Sequence, residues 1–139
     1  MKKSTCVLVA VLAAIALPAQ AAWELLRGNE SQRLSIDPKS VKSRGAETSF
    51  KYLVDFRELQ GESGGKYQSL VVGAALRCKP RTIALRSFEL YAGAGGDGVL
   101  LAMPPPKPAE KRFQPLQMGS SDEDLFRRVC QKAAPAERK

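Results

Sequence analysis

Apolar and polar side chains alternate along most of the chain beyond residue 22, with the two-residue period that places neighbouring side chains on opposite faces of a β-strand. The clearest run is 48–57, where one face is entirely apolar: Phe50, Tyr52, Val54 and Phe56. The runs 67–78 and 82–91 are joined by a short turn and predict a hairpin. Weaker runs complete a predicted sheet of about six antiparallel strands, at 23–27, 33–36 and 99–103.

Two interruptions of the alternation predict that this sheet is curved. Gly73 stands in the middle of run 67–78, and the apolar phase of run 82–91 shifts near Arg86 and Ser87. Each interruption is typical of a β-bulge. The intervening segments are rich in turn-forming residues and predict a helical turn at 38–41, an exposed and mobile loop at 58–66, a hairpin turn at 92–98 and a stiff connector at 104–106.

One helix is predicted near the end of the chain, with Ser120 or Ser121 as its N-cap. Acidic residues fill the first turn and basic residues follow, which is the distribution that the helix dipole favours. The apolar stripe of this helix contains a cysteine and consists of Leu125, Phe126, Val129 and Cys130. Strands followed by a single helix indicate an α+β domain in which the helix docks on the sheet by the face that carries the thiol.

The first 21 residues have the three parts of a secretory signal peptide. Two lysines open the chain, an apolar stretch follows at 6–17, and small residues predict cleavage between Ala21 and Ala22. The apolar stretch is shorter than the roughly 20 residues that span a bilayer, so we predict no transmembrane anchor. The predicted organisation is a cleaved signal peptide, one domain and a flexible tail, at 1–21, 22–134 and 135–139.

Export changes what the cysteines indicate, because an oxidising compartment favours disulfides over free thiols. Cys6 stands at the very start of the apolar stretch and follows Lys3-Ser4-Thr5 in place of the small and aliphatic residues of a lipid-attachment site, so no lipid attachment is expected there. Cys78 is in phase with the apolar face of run 67–78, and Cys130 belongs to the apolar stripe of the helix. Two cysteines without histidine leave zinc underligated, and their spacing is not that of a redox-active C-x-x-C pair. We therefore predict a structural disulfide between Cys78 and Cys130.

The charge balance is basic, which bears on the kind of partner. The formal net charge is +8, and removing the two signal-peptide lysines leaves +6. An exported protein meets anionic envelope polymers and host glycans rather than nucleic acid, although scattered cations also serve solubility alone. Lys51, Arg77 and Arg86 are cations on the solvent faces of predicted strands. The one local concentration in the sequence is the candidate polyanion contact at Lys107, Lys111 and Arg112.

No pattern in the sequence predicts catalysis. The chain has no histidine, which removes a usual participant in hydrolytic and acid–base chemistry. The carboxylates Asp55, Glu58 and Glu62 are interpreted as solvated surface groups. The glycine-rich segment 92–98 lacks the lysine of a phosphate-binding loop and precedes a strand, so it is interpreted as a turn. We expect a protein that is not an enzyme and has no cofactor and no metal.

Several short motifs, taken in order, resemble the surface-adhesin protein E family of small exported domains from Gram-negative bacteria. They are Trp23, Ile36-Asp37-Pro38-Lys39-Ser40-Val41, Tyr67-Gln68-Ser69, Cys78-Lys79-Pro80-Arg81, Tyr91-Ala92-Gly93, Gly98-Val99, the segment 115–120 and Val129-Cys130. The resemblance implies a half-barrel of antiparallel strands with a C-terminal helix on its concave face, tethered by the disulfide. Phe113 stands where the family pattern has a tryptophan.

The resemblance also implies a function. Members of the family bind host matrix or serum proteins and can dimerise, so we expect a protein partner such as vitronectin or laminin, a homodimer, and a location in the periplasm or at the cell surface. A periplasmic structural or assembly role in the envelope is the alternative. A third, less favoured hypothesis is a periplasmic lysozyme inhibitor, because Ser63-Gly64-Gly65-Lys66-Tyr67 is similar to a short element of such inhibitors. Electrostatic repulsion between this basic chain and basic lysozyme opposes that hypothesis.

Overall fold

The computed structural model describes residues 22–61 and 65–131. The predicted signal peptide, the predicted tail and the centre of the predicted loop at 58–66 lie outside these residues. Within them are eight strands: β1 Glu24–Gly28, β2 Gln32–Ile36, β3 Lys42–Arg44, β4 Glu47–Gln60, β5 Tyr67–Arg77, β6 Thr82–Tyr91, β7 Leu100–Ala102 and β8 Gln114–Pro115. The helical elements are the 3-10 turns Pro38–Ser40 and Ala94–Gly96, the helices α1 Pro108–Lys111 and α2 Ser121–Phe126, and the π-helical turn Arg127–Gln131.

The strands form one open antiparallel sheet in the order β1-β2-β4-β5-β6-β7. The short strand β3 pairs with β4, and β8 pairs with β6. This confirms the predicted α+β fold, a sheet whose main path has six strands followed by one C-terminal helix. The strands β3 and β8 and the short helix α1 were not predicted as elements. The strand β4 also runs on to Gln60, so the beginning of the predicted loop at 58–66 is strand.

Strand register defines the two faces of the sheet. Phe50 lies opposite Ala74 and Tyr52 opposite Val72, so these four side chains share one face, which we call the helix face. The residues between them occupy the other face, which we call the outer face. The predicted apolar face of run 48–57 is therefore the face on which the C-terminal helix packs.

A single bulge interrupts the pairing of β5 with β6. Gly73 lies opposite Ser87, but Ala74 lies opposite Leu85, which leaves Arg86 as the additional residue. The two interruptions seen in the sequence thus belong to one irregularity shared by neighbouring strands. A Cβ atom on Gly73 would clash with the hydroxyl oxygen of Ser87, so a larger residue at this position would have to displace the Ser87 side chain.

The helix α2 closes the core on the helix face. The Ser120 side chain accepts a hydrogen bond from the Asp122 amide, which confirms Ser120 as the N-cap. Leu125 and Val129 are almost fully buried. They pack with side chains from four strands, namely Leu34, Ile36, Phe50, Ala74, Leu76 and Ile83. The helix therefore contributes the side chains that cover this face of the sheet.

Covalent and ionic contacts hold the helix segment, which we define as residues 121–131, against strands on both of its sides. Cys78 and Cys130 form the predicted disulfide, with their Cα atoms 5.8 Å apart. Toward β1, Arg27 forms an ion pair with Asp124 at 3.0 Å, and Arg128 forms a second ion pair with Glu24. The disulfide thus ties the segment to the end of β5 while the ion pairs tie it to the edge strand β1.

We expect the Cys78→Ser/Cys130→Ser variant to lose on the order of 4 kcal/mol of unfolding free energy, because the bridge spans 52 residues and its loss frees a long loop in the unfolded chain. Urea denaturation measures the change. Reductant is the matched control: it should lower the stability of the wild type to that of the variant and leave the variant unchanged. Equal stability of the variant and the oxidised wild type would refute the role given to the bridge.

A second prediction concerns the phenol of Tyr52 on the helix face. Burial, with smaller contributions from the negative charges of Asp122 and Glu110, raises the pKa of Tyr52 well above its ordinary value of 10.0. Because the folded pKa is raised, the stabilisation is fully present below the unfolded pKa and is lost as the pH rises above it.

The wild type should therefore lose about 1.4 kcal/mol of unfolding free energy per pH unit above about pH 10 from this one group. Tyr52→Phe should remove that part of the pH dependence. Urea denaturation between about pH 9 and pH 11 measures the difference between the two slopes. Parallel slopes for the two proteins would show that Tyr52 does not titrate with unfolding.

Candidate binding surfaces

A second, smaller apolar cluster lies on the outer face beneath the segment 92–98. Leu53 and Val71 are opposite one another in β4 and β5 and are buried. A Cβ atom on Gly96 would lie 3.2 Å from the Val71 side chain and 3.9 Å from the Trp23 indole. The glycine-rich segment is therefore a cover that closes one end of the outer face.

Side-chain hydrogen bonds hold this cover in place. The Trp23 indole N–H donates to the Gly95 carbonyl at 3.2 Å, and the Gly95 amide donates to the Asp55 carboxylate at 2.5 Å. The Ser69 hydroxyl donates to the Gly93 carbonyl at 2.6 Å and accepts from the Gly96 amide at 2.9 Å. Asp55 was interpreted from the sequence as a solvated surface carboxylate; it is instead a partly buried anchor for the turn.

The next two rows across the outer face are open and have small side chains at their centre. One row pairs Lys51 with Gly73, and the next pairs Ser49 with Ala75. Two adjoining depressions lie here, with volumes of about 650 and 430 Å³, and they share Lys42, Ser49 and Arg86 in their lining. The cations around them are Lys39, Lys42, Arg44, Lys51 and Arg86, and we call this surface the basic groove.

Backbone register and local hydrogen bonds bring the cations of the basic groove together. Lys42 lies opposite Ser49 in the β3–β4 hairpin, so it shares the outer face with Lys51. The Ser40 hydroxyl accepts from the Lys51 amide and donates to the Asp37 carbonyl, both at 2.7 Å. These two bonds hold the turn that carries Lys39 against β4.

Two arginines lie close to the Phe113 ring. The Arg77 guanidinium lies 3.9 Å from the centre of the Phe113 ring, and that of Arg86 lies 5.4 Å from it. Arg77 is also paired with Glu47 at 2.8 Å, so it is a structural cation. Arg86 donates to the Lys111 carbonyl at 3.2 Å, which orients its guanidinium beside the groove.

The three residues of the predicted polyanion contact lie at and beside α1. Lys107 is the N-cap of α1, Lys111 is its last residue and Arg112 follows it. All three side chains are exposed. Their contact with a polyanion stays a prediction. Of the predicted cleavage-site residues, Ala22 is the first described residue and Ala21 lies outside the described part.

The strand β7 presents a contrasting surface. It is the last strand in the sheet order, and among the described residues no further strand pairs with it. Large apolar side chains are exposed along and beside it, at Val99, Leu100, Leu101 and Met103. Their exposed fractions run from 41% to 67%, so the strand is apolar on both of its faces. We call this surface the β7 edge.

Further observations on the described residues concern metal-binding groups, titratable groups and helix length. These residues contain no group of three or more histidine, cysteine or acidic residues placed to hold a metal ion. The hydrogen bond that the Tyr91 phenol donates to Glu89 raises the pKa of Tyr91 above its ordinary value of 10.0. Over these same residues, no helix has both the length and the apolar character to cross a bilayer. What the arrangement provides is two surfaces, one cationic and one apolar.

Sequence reasoning found some members of these surfaces and missed others. It identified Lys51 and Arg86 as exposed cations and 99–103 as a strand. It missed the basic groove because Lys42 and Arg44 lie in β3, a three-residue strand that forms only by pairing with β4. It also missed the cluster under the cover, although continuous apolar runs through Leu53 and Val71 are the signal of a strand buried on both faces.

A model of the surface-adhesin protein E family matches residues 23–131. Crystal form II of Haemophilus influenzae protein E is similar in structure with a TM-score of 0.62 and 16% sequence identity, over 81% of this chain and 90% of that chain. Protein E from non-typeable Haemophilus influenzae gives a TM-score of 0.60 at 16% identity, over 86% of this chain and 83% of that chain. A search of curated proteins finds no match.

At this level of identity the solved structures establish the fold, and the family model supplies the relationship. The match begins at the tryptophan that pins the cover and ends one residue after the cysteine that bridges the helix segment to β5. The chain belongs to the surface-adhesin protein E family.

Proposed function

We propose that this protein is an exported, non-enzymatic adhesin that binds host matrix or serum proteins and acts at the cell surface. Family membership supports a surface adhesin as the general class. The sequence of residues 1–21 supports export through a cleaved signal peptide. The proposed ligand class, host protein, rests on the β7 edge.

The β7 edge carries the proposal because it joins two features that favour protein partners. An unpaired edge strand offers backbone N–H and C=O groups that a partner strand can bond, and natural proteins usually protect such edges. Here the edge carries exposed apolar side chains, of which Val99 and Met103 are the most exposed at 67% and 61%. Exposed apolar surface of this kind is typical of protein–protein contacts.

The same edge also suits a second copy of the chain. Two β7 strands placed side by side would bury the apolar side chains of both protomers and satisfy their outward-facing backbone groups. The expected homodimer is therefore part of the proposal. A periplasmic envelope role remains the competing hypothesis, and it predicts an envelope component in place of a host protein.

We expect saturable binding of the mature oxidised protein to immobilised vitronectin or laminin, and a loss of about tenfold or more in affinity for Val99→Ser/Leu101→Ser/Met103→Ser. The matched control is Leu59→Ser/Met118→Ser, which removes exposed apolar side chains elsewhere and should leave affinity unchanged. Surface plasmon resonance measures both. Absence of binding to either host protein, together with retention in the periplasmic fraction, would favour the envelope role.

Sedimentation velocity tests the homodimer separately. The wild type should sediment as a concentration-dependent mixture of monomer and dimer, and the β7 variant should shift toward monomer, because the apolar surface buried between two edges is reduced. The Leu59→Ser/Met118→Ser control should follow the wild type. A wild type that stays monomeric at millimolar concentration would contradict pairing through the β7 edge.

A further inference from the structure

We propose that the basic groove on the outer face is a second binding site, and that its ligand is a sulfated polysaccharide chain. The proposal deepens the adhesin function by naming a glycan ligand on a face separate from the β7 edge. Three properties of the groove support it: the charge that it leaves unpaired, its elongated shape and the chemistry of its floor and rim.

Positive charge predominates in the lining of the basic groove. Five cationic side chains line it, against the two carboxylates of Asp37 and Glu47. Glu47 forms an ion pair with Arg77, and the Asp37 carboxylate accepts a hydrogen bond from the Lys39 backbone amide at 3.0 Å. Within residues 22–61 and 65–131, none of the five cations forms an ion pair. Clustered cations without counter-charges attract a polyanion and concentrate it at the surface.

The shape of the basic groove suits a chain rather than a compact ligand. Its two depressions adjoin and share lining residues, so together they form one trough across β3, β4 and β5. The floor includes the small residues Ser49, Gly73 and Ala75. A polymer can lie over them, between the longer cationic side chains. Arg86, held by the Lys111 carbonyl, presents a fork of donors that fits sulfate oxygens.

The chemistry of the rim argues against two other anionic ligands. An anionic lipid needs apolar surface for its acyl chains, and the large exposed apolar side chains of the described residues are not in the lining of the groove. Single-stranded nucleic acid needs aromatic platforms on which bases stack. Phe50 is in the lining of the groove, but its side chain is buried in the core on the helix face. The nearby Phe113 ring is already stacked against Arg77. A sulfated sugar chain needs cations and hydroxyl groups, both of which the groove has.

The test uses the mature oxidised protein and a heparin octasaccharide in isothermal titration calorimetry. Lys39→Gln/Lys42→Gln/Lys51→Gln should weaken binding by about tenfold or more and make the affinity less dependent on salt, because three charge contacts are lost. The arginine version, Lys39→Arg/Lys42→Arg/Lys51→Arg, should restore binding. The matched control is Arg33→Gln/Arg57→Gln/Lys66→Gln, which removes the same charge from exposed positions outside the groove and should change affinity less than about threefold.

Several results would overturn the proposal. One is equal weakening by the groove variant and the control, which would show only general charge attraction. Another is loss of octasaccharide binding in Lys107→Gln/Lys111→Gln/Arg112→Gln but not in the groove variant. That result would show that the glycan binds at α1 and not in the groove. A third is equally tight binding of desulfated heparin, of a single-stranded oligonucleotide or of anionic phospholipid vesicles.

The glycan site and the proposed protein-binding function fail in distinguishable ways. The groove variant should keep its binding to vitronectin or laminin, and the β7 variant should keep its binding to the octasaccharide. Unchanged melting temperatures for the lysine variants, whose side chains are exposed, would show that any lost binding is local.

Discussion

The docking of the C-terminal helix on the sheet is the interaction on which the rest of this structure depends. The α-helical part has only six residues, and a helix of that length is not stable in water by itself. Its stability comes from burying Leu125 and Val129 against the strands and from the Cys78–Cys130 bridge. Without that covering, the apolar face of β4 and β5 would be open to water, and the domain would lose its main core.

Because the C-terminal helix fills the helix face of the sheet, that face is closed to ligands. One end of the outer face is covered by the pinned turn 92–98. The central rows of the outer face and the β7 edge are the two open surfaces to which binding is assigned in the proposals. The first carries clustered cations and the second exposed large apolar side chains, so the two surfaces differ in the kind of partner that each is proposed to bind.

The features that the sequence predicted are those that depend on local periodicity. Alternation gave β4, β5 and β6 and the side chains on their helix face, and the capping pattern gave Ser120 as the start of α2. The elements that were missed depend on tertiary contacts. The strands β3 and β8 have three and two residues, too few to show a period, and each forms because a longer neighbour offers free bonding groups.

The basic groove was missed for the same physical reason. Its cations come from a 3-10 turn, a short strand, a long strand and a bulge, and only the register of the sheet brings them together. The linear cluster at Lys107, Lys111 and Arg112, by contrast, is conspicuous in the sequence, because its members lie within six consecutive residues at and beside α1.

Amide hydrogen exchange with and without reductant tests the central claim most directly, since it reports the protection of each segment separately. If the disulfide and the buried stripe hold the helix on the sheet, reduction should accelerate exchange in the peptide that covers 121–131 by at least as much as in β4 and β5. Unchanged protection of that peptide after complete reduction would contradict the account.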